Sequence, residues 1–293
     1  MILITGCTGF VGSALVHRLL DLGEDVCGLT RNIHRPKNSS FPNITLYKGS
    51  ITDSKALEAA MVNIDAVINL VGILVETRQN SFVSAHAEGT KQLVESAQKM
   101  GVQRYIQMSS LGTRSQAASR YHQSKWQAEE SVRQSTLDYT IFQPSVLFGQ
   151  GDNFVNQFAR MIRQSPLVPI LGAGTALMQP LWVEDLVSCI IHALKTSATI
   201  GKTYQLGGPQ QLTFEEIIDI ISHTVAKRRI KVHLPFAILK IQAAILETIL
   251  PTPPLTRDQL LMAQENNICP GPPIDPLFNL TPVNLEMKIS EYL

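Results

Sequence analysis

Ile2-Leu3-Ile4-Thr5-Gly6-Cys7-Thr8-Gly9-Phe10-Val11-Gly12 opens the chain and runs straight into Ala14-Leu15-Val16-His17-Arg18-Leu19-Leu20. The first stretch begins as a short apolar run of strand length, and the second repeats its apolar residues at helical spacing. Between them stand three glycines, each three residues after the last. A strand, a tight turn and a helix in this order present backbone N–H groups at a helix N-terminus, where a pyrophosphate can sit. The first glycine permits the turn, the second lets the backbone approach phosphate, and the third lets the helix pack on the strand. Gly6, Thr8, Gly9, Phe10, Val11 and Gly12 are therefore candidate phosphate-side residues.

Outward from that turn the rhythm repeats. Val/Ile-rich runs at 1–5, 25–30, 44–48, 66–71, 103–109 and 138–142 alternate with amphipathic stretches at 10–22, 54–61, 82–100 and 121–135. This spacing predicts an α/β fold of βαβ units, a doubly wound parallel sheet with helices on both faces. After Gln143-Pro144-Ser145 the pattern loosens around Gly149, Gly151, Gly172 and Gly174, and a smaller, mostly helical C-terminal lobe is expected. Its helices are predicted at 153–165, 213–225, 235–249 and 256–266, while 184–195 and 203–206 read as a helix and strand returning to the sheet. The stretch after Cys269-Pro-Gly-Pro-Pro reads as an extended tail. The expected division is 1–148 with 180–206 as the cofactor-binding part, and 149–179 with 207–293 as a substrate or partner lobe.

With 293 residues, 44% hydrophobic and 17% charged, the chain can bury a large core, which excludes a disordered or fibrous protein. Lys plus Arg number 25 and Asp plus Glu 24, so the net charge of +1 sets up no global field for nucleic acid. Cys7, Cys27, Cys189 and Cys269 form no CxxC pair and lack histidines at ligand spacing, so neither a metal site nor a disulfide framework is expected. No secretory pattern and no apolar run near the ~20 residues of a membrane span stand out. A cytoplasmic protein is expected, with a peripheral position on the inner membrane as the alternative.

Where the second strand ends, an NAD-selective site would place an acid for the ribose hydroxyls. Arg31 stands there instead, with Arg35 and Lys37 close by. A guanidinium at that place suits a 2′-phosphate through charge-assisted hydrogen bonds, which favours NADP(H) over NAD(H). A solvated basic loop is the other reading.

Together with the glycine turn, Tyr121-His-Gln-Ser-Lys125 and Gln143-Pro144-Ser145-Val-Leu-Phe-Gly149 make the chain resemble the extended, and within them the atypical, short-chain dehydrogenases/reductases over nearly its whole length. INLVGIL (68–74), EGTKQLVESA (88–97), FVNQFARMIRQSP (154–166), MQPLWVEDL (178–186), TYQLGGP (203–209) and LPTPPLTRDQL (250–260) look more narrowly like the bacterial relatives of the nucleotide-binding accessory subunit of respiratory complex I. The resemblance implies a Rossmann-type sheet binding NAD(P)(H). It places Ser50 and Ile51 beside the adenine, Leu70, Val71 and Gly72 under the cofactor, and Ser109 and Pro144 along the same site. Ser50 stands where an acid is often found, and Asp53 reads as a helix N-cap.

In this superfamily a tyrosine acts as general acid/base, and a lysine four residues on lowers its pKa and holds the nicotinamide ribose. The resemblance puts Tyr121 and Lys125 in these roles, with Ser110 orienting a substrate carbonyl or hydroxyl. Spacing of four puts both side chains on one helix face, and an ammonium there is expected to pull the phenol below its usual pKa near 10. Three departures stand out: His86 where extended members usually carry Asn, no Val-Tyr-Gly after the serine pair, and Gln143 where many carry Arg. His86 reads either as a proton relay or as a hydrogen-bonding partner for a loop.

Cys7 has two readings, a thiol activated at a helix N-terminus or a small packed residue. Trp126 and Trp182 read as packing residues. The stretch 235–249 is Pro-bounded and apolar on more than one face, with only Lys240 and Glu247 charged. It packs either wholly on its own lobe or also against a respiratory-complex partner or a membrane surface. Lys227, Arg228, Arg229 and Lys231 upstream would suit an anionic surface or a solvated turn. Two functions follow. One is an oxidoreductase acting on a small apolar or quinone-like carbonyl or hydroxyl substrate; the other is a non-catalytic, cofactor-bound assembly or sensor subunit associated with complex I.

Overall fold

In the computed structural model, residues 1–33 and 43–293 are described, so Arg35 and Lys37 lie outside the described residues. Seven parallel strands form the main sheet. They are β1 (Ile2–Thr5), β2 (Val26–Thr30), β3 (Thr45–Lys48), β4 (Ala66–Asn69), β5 (Arg104–Met108), β6 (Asp138–Pro144) and the strand Lys202–Leu206. Their order is 3-2-1-4-5-6 with Lys202–Leu206 outermost, the doubly wound arrangement in which β1 and β4 flank the reversal of direction. Helices α1 (Phe10–Asp21), α2 (Ser54–Ala60), α3 (Gly89–Lys99) and α4 (Arg120–Arg133) are the crossovers.

β1 and β4 are buried at every residue, as strands covered on both faces must be. Leu3, Leu29, Leu57, Val67, Leu93 and Tyr105 pack into one apolar cluster on this sheet. Asp53 caps α2, its side chain accepting the backbone N–H groups of Lys55 and Ala56, a cap worth about 1 kcal/mol. Ser119 caps α4 by accepting from the His122 N–H, which fixes where the helix carrying Tyr121 begins.

The chain divides into two compact units, 1–143 with 187–204 and 144–186 with 205–293. In the second, Val155, Ala159 and Ile162 from one helix meet Phe214, Ile217 and Ile221 from another around a buried core. Two features here depart from expectation. Leu167–Leu171 and Ile230–Leu234 pair as parallel strands, so Lys231 lies in a strand, where it pairs with Glu215 and Asp219 at 2.8 Å each. The closing segment is not extended throughout. Asn284 caps a helix at Leu285–Ile289, whose Leu285 and Ile289, four residues apart, bury one face in that core.

The stretch predicted as one helix over 82–100 is also two structures. Val83–Glu88 forms a widened π-helical segment before α3, a geometry that recurs at functional sites. No helix among the described residues is long and apolar enough to cross a membrane.

Candidate functional site

At the end of β1 the chain reverses through Gly6, whose φ of 74° lies in the left-handed region that glycine tolerates. A Cβ on Gly12 would lie 2.2 Å from the Gly6 carbonyl oxygen and 2.7 Å from the Cys7 Cα, so only hydrogen fits between helix and turn. Gly9 N–H donates to the Gly6 carbonyl at 3.0 Å, closing the turn. Gly9 is also the N-cap of α1; no side chain caps the helix and no acid lies in its first turn. Thr8, Phe10 and Val11 sit at this uncapped end. These are the features a diphosphate requires: close backbone approach and a helix end not already occupied by a carboxylate.

Cys7 is not the activated thiol that one reading allowed. It is fully buried against Gly28, and burial raises its pKa to about 11, against which the hydrogen bonds from its own and the Thr8 backbone are too weak. All four cysteines are buried and none is in a disulfide.

Arg31, just past β2, is exposed, and its Nη1 donates to Asn80 Oδ1 at 2.9 Å. Ser50 and Ile51 follow β3. The Ser50 hydroxyl bonds Thr52 Oγ1 at 3.0 Å, while Ile51 is buried against Gly89 at the head of α3. Leu70, Val71 and Gly72 continue from β4, and what holds them is a buried network that the sequence reading missed. Thr5 Oγ1 donates to Asn69 Oδ1 at 2.8 Å, and the Val71 N–H donates to the same oxygen at 3.2 Å. Asn69 Nδ2 donates in turn to Thr90 Oγ1 and Gln107 Oε1 at 3.1 and 3.0 Å. The available signal was a lone amide in an apolar strand, since a buried Asn must find partners.

The second cluster gathers along α4. Tyr121 and Lys125 are 8% and 3% exposed and lie one turn apart. Ser110 is the neighbour that opposes burial at the Tyr121 phenol, and its own hydroxyl donates to the Leu111 carbonyl at 3.3 Å. Lys125 Nζ donates to the carbonyls of Met108 and Val71 at 3.2 and 3.5 Å, so it reaches the ends of both β5 and β4. Ser109 is buried beside them and its hydroxyl donates to Thr113 Oγ1 at 3.4 Å. Pro144 closes β6.

The expected lowering of the Tyr121 pKa does not occur. Burial raises it, and Ser110 opposes this only in part. Burial also lowers Lys125 to about 8. A group enclosed this completely is governed by desolvation before it is governed by its neighbours.

His86 resolves between its two readings. Its Nε2 accepts the Ile73 N–H at 3.0 Å, so the ring proton lies on Nδ1 and is directed to the Ser124 hydroxyl at 2.8 Å; Ser124 in turn donates to the Tyr121 carbonyl at 2.7 Å. Burial, reinforced by the charge of Lys125, lowers His86 to about 2. A ring that stays neutral across the physiological range serves as a strut between loop and helix. Its edge packs on Tyr121 at 5.3 Å between ring centres, and Phe82, also missed from sequence, meets Tyr121 at 5.8 Å. Trp126 packs under Arg133 at 4.9 Å, and Trp182 packs on Phe148 at 5.3 Å. No group of three or more His, Cys, Asp or Glu among the described residues could hold a metal ion.

A doubly wound sheet with an uncapped glycine turn at its reversal point defines a dinucleotide-binding Rossmann domain. The chain belongs to the NAD dependent epimerase/dehydratase family, which it matches over residues 2–207. Across 248 residues it is 33% identical to NADH dehydrogenase [ubiquinone] 1 alpha subcomplex subunit 9, mitochondrial, of Arabidopsis thaliana, covering 82% of this chain and 62% of that protein. The Mus musculus protein of the same name is 26% identical, over 99% of this chain and 78% of its own length. Among solved structures, a UDP-glucose 4-epimerase from Thermotoga maritima superposes with a TM-score of 0.77 at 19% identity, covering 99% of this chain and 96% of that one, which is a likeness of fold. Binding of an NAD(P) dinucleotide is expected of the family.

Proposed function

We propose that the chain binds NADP(H) at the β1–α1 turn and uses it as an oxidoreductase on a small apolar or quinone-like carbonyl compound. The observation that carries this reading is the burial of Tyr121 and Lys125 one turn apart on α4, with the Lys125 ammonium against the Met108 and Val71 carbonyls at the ends of β5 and β4. Gly6, Gly9 and Gly12 leave room for the diphosphate, Ser50, Ile51, Leu70, Val71 and Gly72 line the strand ends, and Arg31 supplies the charge for a 2′-phosphate. When bound, the dinucleotide supplies a hydride. Lys125 holds its ribose, Ser110 fixes the substrate oxygen, and the Tyr121 hydroxyl gives that oxygen its proton. Burial keeps Tyr121 a neutral phenol, the proton-giving form, so carbonyl reduction is favoured over alcohol oxidation.

A second reading, a cofactor-bound assembly or sensor subunit, is supported by the relatives' names and by one surface. Helix Phe236–Ile249 buries Leu239 and Ala243 but exposes Ile238, Ile241, Ile245 and Ile249 on its opposite side. That exposed stripe carries no charge and suits a respiratory-complex partner or a membrane surface.

The deciding experiment is the rate at which bound NADPH leaves the purified protein, followed by nicotinamide fluorescence under excess NADP+. Release within about a second permits turnover, and a screen of quinones and carbonyls should then find a substrate reduced by the wild type and not by Tyr121→Phe. Retention for hours overturns the enzymatic reading in favour of a resident cofactor.

A further inference from the structure

Helix α4 carries Tyr121, Lys125, Glu129 and Arg133 at successive intervals of four, so they form one stripe. Lys125 and Glu129 are both buried, at 3% and 0% exposure. The two carbonyls that accept from Lys125 take two of its three donors and carry no charge, and an ammonium this far from water needs a counter-charge.

The groups facing Lys125 are few. Gly72 and the His86 ring approach it from the β4 loop and the π-helical segment, the Met108 carbonyl from β5, and Tyr121 and Glu129 along its own helix. His86 and Tyr121 are neutral, so Glu129 is the one anion in this set.

Glu129 is held from two sides. Its Oε1 accepts from Gln143 Nε2 at 2.8 Å, and its Oε2 pairs with Arg133 at 2.5 Å. Arg133 is shared, because its other arm bonds Glu130 at 2.6 Å. Two carboxylates therefore face two cations, Arg133 and Lys125, and the set closes at neutrality. Gln143 completes the cage with a hydrogen bond and no charge. A cation in its place would compete with Lys125 for the same carboxylate.

We propose that Glu129, clamped by the neutral Gln143, is the positioning residue that keeps the buried Lys125 ammonium protonated and so able to hold the dinucleotide ribose. What Lys125 holds rests on the function proposed above; what Glu129 does to Lys125 does not.

The test is a titration of the full chain labelled with [13C]lysine, the Lys125 resonance being the one that Lys125→Met removes. The wild type is expected to titrate near pH 8, where burial lowers Lys125 and Glu129 raises it. Glu129→Gln should move the midpoint down by about one pH unit or more. Gln143→Arg, which leaves Glu129 in place but gives it a second cation, should move it in the same direction by less. Unmoved midpoints overturn the proposal, and Gln143→Arg alone suffices to do so should Glu129→Gln fail to fold. NADPH titrations then address the underlying reading. With a one-unit shift, Glu129→Gln should bind about fivefold more weakly than wild type at pH 8 and recover toward pH 6. NADPH affinity that ignores a shifted Lys125 would remove Lys125 from the dinucleotide while leaving the role of Glu129 intact.

Discussion

At the β1–α1 turn geometry is enforced by missing atoms, along α4 by buried polar ones. Gly12 leaves a Cβ nowhere to go, and Gly6 holds a left-handed φ of 74°, conditions independent of pH and of distant residues. Tyr121, Lys125 and His86 lie in an enclosure that sets their protonation, and each is shifted by burial first. A steric site can be read from spacing. An electrostatic one depends on the whole fold, which is why the same two residues, Tyr and Lys four apart, suggested a lowered phenol pKa that the enclosure reverses.

The largest expected effect breaks the electrostatic half alone. Tyr121→Phe should reduce turnover of any carbonyl substrate by roughly 10²–10⁴-fold while NADPH affinity stays within about twofold. Initial rates beside a fluorescence titration would check both. Full activity in the variant would dissolve the acid assignment.

Gly12→Val attacks the steric half. Its branched side chain must displace the Gly6 carbonyl or the Cys7 backbone, so dinucleotide binding should fall by about a hundredfold or more, with about 1–3 kcal/mol lost from stability. Calorimetry with and without NADPH would separate the two losses. A variant that binds normally would mean the turn is only a fold element.

His86 offers a pH signature that the glycine turn cannot produce. In the unfolded chain its imidazole takes a proton near pH 6.5, but in the folded protein only near pH 2, so between those values the unfolded state holds more protons. Stability from this residue is complete above pH 6.5 and is lost as pH falls below it, at up to about 1.4 kcal/mol per pH unit. Denaturant unfolding at pH 7 and pH 5 should show that decline in the wild type and a shallower one in His86→Gln. Equal slopes would mean that the ring is accessible to protons in the native state.

Much of this division was legible beforehand. Parallel strands, crossover helices and the glycine turn follow from periodicity and spacing, and Asp53 caps α2 as its position suggested. The role of Asn69 does not show in the sequence because its partners, Thr90 and Gln107, lie twenty or more residues away and adjoin it only once the sheet forms. Ile230-Lys-Val-His-Leu234 alternates apolar and polar residues as a strand does, but its partner Leu167–Leu171 and the Glu215 carboxylate that meets Lys231 and His233 adjoin it only in the fold. The closing helix was masked by its Pro-rich approach.

Arg31→Ala should touch neither half. An exposed guanidinium acts on one phosphate group, so the loss should appear as about tenfold weaker NADPH binding with NADH nearly unchanged. Equal losses for both cofactors would remove the 2′-phosphate argument and leave Arg31 as the anchor of Asn80.

The smallest effect on stability belongs to the surface that neither half uses. Ile241→Ser with Ile245→Ser lies on the exposed side of helix Phe236–Ile249, at 65% and 53% exposure, so the free protein should change by about 0.5 kcal/mol or less. Loss of turnover is not expected either. What should change is retention on membranes from gently lysed cells, because an uncharged isoleucine stripe has value only when something covers it. Wild-type protein found wholly in the supernatant would break the partner reading, whereas retention lost with the two serines would tie it to this one face, separate from the dinucleotide chemistry.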